Sequence, residues 1–184
     1  MNTVQASPST VETSSAFFRP SAGETWVQIA LVGLGLAGAA GVIVAFGGRG
    51  HLHTPNLSLL IDQPWTLKLH ITAAVTAFLL GCVMLVRVKG DALHRAMGWT
   101  WVACMVTVAV SSFFFPWVLK GHLSPIHLLS GWVAISVPMG VAFARRHNIQ
   151  GHRRMMTYNF LLGLVVAGAF TLVPGRLMWR VFFG

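Results

Sequence analysis

Acidic side chains are nearly absent: the 184 residues hold four, Glu12, Glu24, Asp62 and Asp91, and none lies inside an apolar run. That argues against proton transfer along buried carboxylates. Cysteine is confined to Cys82 and Cys104, each within an apolar run and without metal-ligand spacing. A disulfide framework is therefore not expected, and both read as small packing residues. No Ser-His-Asp set, phosphate loop or zinc motif is visible, which leaves hydrolase and kinase readings without support. Charged residues make up 9% of the chain against 55% hydrophobic, where a soluble domain carries roughly a quarter charged. The composition is that of an integral membrane protein.

Apolar runs occupy residues 26–46, 66–86, 97–118, 126–144 and 157–173, most of them near the ~20 residues that cross about 30 Å of hydrocarbon. The expected fold class is an all-α membrane protein with five transmembrane helices. Residues 1–25, rich in Ser, Thr and Pro and without a basic start, read as a disordered cytoplasmic tail and not a signal peptide; residues 26–184 form the transmembrane domain. Ser124-Pro125 and Asp62-Gln63-Pro64 both resemble an N-cap before a helix.

The formal charge of +9 would suggest nucleic acid in a soluble protein. Here Lys and Arg cluster at helix ends, so the bilayer is the expected partner and nucleic acid is not. Arg87, Lys89 and Arg95 follow the second run, and Arg145, Arg146, Arg153 and Arg154 follow the fourth. By the positive-inside rule these two loops face the cytoplasm with the N-terminus, although Arg176 and Arg180 fall on the outer side. Most tryptophans lie at run boundaries, as an aromatic belt requires, and Trp132 is the exception.

One spacing nearly repeats. His70 is followed 24 residues later by His94-Arg95, and His127 is followed 25 residues later by His152-Arg153. The second and third runs thus match the fourth and fifth at offsets of 57 and 58 residues. This predicts a four-helix core of two parallel hairpin repeats plus an N-terminal helix, an arrangement that places sites at the repeat interface. His70, Ala74, Ala77 and Gly81 share one helical face, and His127, Gly131, Ala134 and Pro138 reproduce those steps. Such small residues leave room for close packing or for a flat cofactor.

In this arrangement His70 and His127 share the outer layer and His94 and His152 the inner one, roughly 16 helical residues or ~24 Å apart. Two facing imidazole pairs are a ligand set for one or two six-coordinate b-type haems. Arg95, Arg153 and Arg154 can pair with haem propionates, and topology signalling explains them equally well. Histidines that merely hydrogen-bond across helices remain the alternative. His51, His53 and His122 read as solvated loop residues. Tyr158 and Asn159 suit either an interhelical hydrogen bond or a quinone headgroup, and residues 176–183 read as a short interfacial anchor.

Over Thr66 to Val173 the histidine positions resemble the ascorbate-reducible di-haem transmembrane cytochromes b. That resemblance implies the pairs His70 with His127 and His94 with His152, although the short hairpin spacing and the His-Arg pairs at the membrane edge depart from the family. The pattern Leu67, His70, Gly81, His94, Arg95 and Gly98 is more similar still to an uncharacterised family of bacterial multi-pass membrane proteins, a domain of unknown function; that resemblance implies the multi-pass topology and a bacterial inner membrane and names no activity. The expected function is a membrane haem b protein relaying electrons, as an oxidoreductase or electron-transfer subunit, with quinone or a redox protein as partner and a homo-oligomer open. A haem-free structural subunit or small-solute transporter is the alternative.

Overall fold

The computed structural model describes residues 54–115 and 125–183, with scattered positions between 26 and 44. Those scattered positions are helical, and the rest of the first expected span, the tail, His51, His53, His122 and the Ser124 cap lie outside the described residues. A short helix α1 (Ser58–Ile61) leads into α2 (Trp65–Val86), and α3 (Ala92–Ser112), α4 (Pro125–Arg145) and α5 (Ile149–Phe160) follow. A π-helical stretch, Leu161–Val166, and α6 (Ala167–Phe170) prolong α5 before a final helix α7 (Leu177–Phe182). No strand occurs among the described residues.

The apolar runs predict α2 and α4 to within a residue at each end, whereas α3 and α5 begin earlier than expected. The cause is capping. Asp91 has extended backbone and its carboxylate accepts the His94 N–H at 2.7 Å, which starts α3 at Ala92 instead of residue 97. The Asn148 side chain likewise accepts the Gly151 N–H at 2.9 Å, so α5 starts at Ile149 instead of residue 157. His94 and His152 therefore sit in the first turns of helices, not ahead of them. Asp62, expected to cap α2, instead ends α1, and Pro64 occupies the N-cap position of α2 with no side-chain bond.

The four long helices close into a ring. α2 packs on α3, α3 on α4, and α4 on α5, while the π-helical stretch returns to α2. No comparable contact joins α2 to α4 or α3 to α5, so these pairs face each other diagonally. Both hairpin turns, 87–91 and 146–148, carry basic residues, and the end they share is termed the basic end below.

The interior is filled by Ala77, Trp101, Met105, Ala109, Val133, Val137, Phe160, Leu164 and Val165. The widened π turn lets the consecutive residues Leu164 and Val165 both face inward. Large apolar side chains meanwhile point outward, with Leu69, Val75, Leu79 and Val83 on α2 and Leu128, Ile135 and Met139 on α4 all exposed. Large apolar side chains facing outward along whole helices is the distribution that hydrocarbon favours and water penalises. Among the described residues, α2 and residues 127–145 of α4 are long and apolar enough to cross a membrane.

Residues 176–183 are not simply a surface anchor. Val181 is fully buried, and its carbonyl accepts the Asn56 N–H at 3.0 Å, which docks α7 against the segment carrying α1.

Candidate functional site

Helical register decides which histidines the bundle can bring together. On α2 the buried residues Ala73, Ala77 and Gly81 follow His70 at steps of three and four, so His70 lies on the inward face. On α3, Trp101, Met105 and Ala109 follow His94 in register and are buried. On α5, His152 is aligned with Asn159, which is also fully buried. His127 departs from the pattern. The inward face of α4 is Ser130, Val133, Ser136, Val137 and Gly140, whereas Ala134 and Pro138 are exposed. The expected stripe through His127 is therefore misplaced by roughly a third of a turn.

At the basic end, His152 Nδ1 lies 2.8 Å from the carbonyl oxygen of Gly140 on α4. A carbonyl only accepts, so Nδ1 carries a proton, and in the Nδ1–H tautomer the lone pair lies on Nε2. His94 stands on the diagonal helix, close enough for the charge of a protonated His152 to act on it. Its Nδ1 is buried and has no hydrogen-bond partner. His94 precedes the membrane-spanning part of α3, and burial, then the nearby charges of His152 and Lys89, hold its pKa below the usual histidine value.

The remaining charges at this end are largely engaged. Arg87 pairs with Asp91, which also caps α3, and Lys89 donates to the carbonyls of Leu85 and Arg87. Arg95 Nη1 donates to the Gly90 carbonyl at 2.9 Å, fastening a turn in which Gly90 has a φ of 94°. Arg153 is half-buried in the first turns of α5. Asp91 is held below the ordinary carboxylate range by the His94 N–H first and by the Arg87 hydrogen bond second.

At the opposite end, His70 Nδ1 lies 3.0 Å from Ser111 Oγ. The Ser111 hydroxyl already directs its hydrogen to Thr107 O at 2.6 Å, so it accepts from His70, and His70 too keeps its lone pair on Nε2. The Phe115 ring meets His70 edge-on at 5.0 Å, and the Phe113 ring lies 6.1 Å from His127. Aromatic rings thus pack against both imidazoles at this end.

Serine and asparagine side chains, which the apolar pattern did not single out as interior, supply further links. Ser112 and Ser130 join α3 to α4 at 2.6 Å, and Ser136 donates to Asn159 Oδ1 at 2.7 Å, joining α4 to α5. Asn159 takes the interhelical role expected of it, while Tyr158 is exposed. Cys82 and Cys104 are free thiols at the edge of the core, in keeping with packing. No group of three or more His, Cys, Asp or Glu side chains able to hold a bare metal ion occurs among the described residues.

No curated protein and no solved structure matches the chain. A family model described as a predicted membrane protein (DUF2306) matches residues 67–184, which run from the third residue of α2 through α7 and leave out the first apolar run. That description names the membrane and no activity. The chain belongs to the DUF2306 family of predicted membrane proteins.

Proposed function

We propose that this four-helix core is an integral membrane haem b protein that relays electrons, with His94 and His152 as the principal ligand pair. The observation that carries the reading is the combination at the basic end. Two inward imidazoles stand on diagonal helices, one fixed through Nδ1 to Gly140 with its Nε2 lone pair free, the other with a buried, unbonded Nδ1. An anchored Nδ1–H is the usual support of a ligating histidine, and an orphaned buried nitrogen is what a bound group satisfies. These two nitrogen donors are what supports the bis-imidazole reading. Haem held by these two imidazoles would supply single-electron exchange.

His70 and His127 form the proposed second pair, with a poorer fit. His127 lies off the inward face, so a haem here requires α4 to rotate at its first turn. Arg153 is the half-buried guanidinium nearest in sequence to His152 for propionate binding, whereas Arg95 is committed to Gly90 and the exposed Arg154 lines a separate surface groove. With the basic end on the cytoplasmic side, a membrane or cytoplasmic donor such as quinol would reduce the inner site and an outward acceptor would drain it.

The hydrogen bonds between neighbouring helices favour a second reading, a haem-free subunit or small-solute transporter knitted together by polar side chains. Spectra of single variants discriminate. The haem reading expects His94→Ala and His152→Ala each to remove the same low-spin haem and His127→Ala to spare it. Loss of the basic-end haem on replacing His127, or none on replacing His152, overturns the assignment.

A further inference from the structure

A surface groove of about 420 Å³ between α4 and α5 takes no part in the histidine arrangement. Phe143, Asn148 and Gln150 line it at the basic end, Arg154 and Met155 follow a turn further along α5, and Trp132 and Tyr158 close the far end. From Phe143 to Trp132 the groove follows eleven residues of α4, or ~16 Å. That is about half the ~30 Å hydrocarbon thickness, the depth of one leaflet.

The groove is polar and cationic at one end and aromatic at the other. Arg154 is exposed and has no hydrogen-bond or ion-pair partner among the described residues, and the nearest hairpin carboxylate, Asp91, is taken by Arg87. Trp132 and Tyr158 remain 45% and 49% exposed, offering flat surfaces where a protein interior would bury them. A second copy of the chain is a poor occupant, because the formal charge of +9 gives its basic end the same sign.

We infer that this groove holds one anionic phospholipid from the leaflet at the basic end, its phosphate on Arg154 and one acyl chain along Met155, Trp132 and Tyr158. A guanidinium presents two parallel N–H donors to two phosphate oxygens. The match of groove length to a single leaflet selects a lipid over a free phosphate, which would use the Arg154 end alone. The site is independent of haem.

Native mass spectrometry of the full-length protein in mild detergent, with equimolar phosphatidylglycerol and phosphatidylcholine of identical chains, tests this. The expected result is one retained lipid per chain with phosphatidylglycerol preferred about fivefold or more. Arg154→Gln brings the two lipids to parity with an unchanged helical circular dichroism spectrum, while Arg146→Gln, an exposed arginine outside the groove, keeps the preference. Trp132→Ala lowers retention of both lipids. Equal loss of preference in Arg146→Gln and Arg154→Gln, displacement by soluble glycerol 3-phosphate at the same concentration, or one-for-one displacement by a short-chain quinone overturns the assignment. So does a wild-type protein that retains no lipid.

Discussion

The imidazole of His152 on α5 donates from Nδ1 to the main-chain carbonyl of Gly140 on α4, across 2.8 Å. Glutamine at 152 can reach the same carbonyl and cannot serve as an axial imidazole; phenylalanine can do neither. With haem absent from both, His152→Phe is expected to be less stable than His152→Gln by about 0.6–1.7 kcal/mol, the scale of interhelical hydrogen bonds in membranes. Both variants lose the basic-end haem signal. Thermal melts set beside visible spectra separate packing from ligation.

Gly81 and Gly140 respond oppositely to an added methyl. A Cβ at Gly81 runs into the Phe160 ring and comes within 3.3 Å of Trp101 Nε1, both buried and rigidly packed. At Gly140 it meets the terminal methyl of Met156, a flexible side chain that can move. Gly81→Ala is expected to cost about 1–3 kcal/mol from overpacking. Gly140→Ala is expected to be neutral or to stabilise by up to about 1 kcal/mol through helix propensity. Reversible unfolding in detergent reads both, and equal losses at the two sites would contradict the packing described.

Ser136 and Asn159 form a buried pair suited to a double-mutant cycle, with Asn159 Nδ2 also donating to the Met155 carbonyl at 2.9 Å. Ser136→Ala leaves the Asn159 Oδ1 without its donor inside a fully buried site. The single change should cost about 0.6–1.7 kcal/mol, and adding Asn159→Leu should recover part of it, because it removes the Oδ1 that Ser136→Ala leaves without a donor. Additive losses would show that the two side chains do not interact.

Asp91 ties acid stability to the start of α3. Its folded pKa lies below the ordinary 3.8, so its contribution is complete above that value and disappears as pH falls through the folded pKa. Asp91→Asn retains a cap for the His94 N–H and removes the ionisation and the Arg87 pair. The wild type is expected to lose melting temperature more steeply than Asp91→Asn as pH falls from 5 towards 3. Parallel pH profiles would remove Asp91 as the cause.

The sequence makes α2 and α4 readable because their apolar runs are long and bounded by Pro64, Pro125 and basic residues. The starts of α3 and α5 are not legible because Asp91 and Asn148 sit among other polar residues, where a capping side chain does not stand out from the sequence alone. The inward face of α4 was misread for a different reason. In lipid both faces of a helix are apolar, so hydrophobic periodicity does not tell inside from outside. The usable signal was small and hydroxyl residues, Ser130, Ser136 and Gly140, which would have shown His127 to be off the face that bears them. The inward placement of His70, His94 and His152 needed the helix bounds and the buried neighbours of each helix together.

The measurement that bears most directly on the account is the iron and haem content of the full-length protein purified from haem-replete membranes, read together with its reduced-minus-oxidised visible spectrum. The account predicts low-spin b-type bands and at least one haem per chain. A colourless protein with an intact helical spectrum and no stoichiometric iron would contradict it.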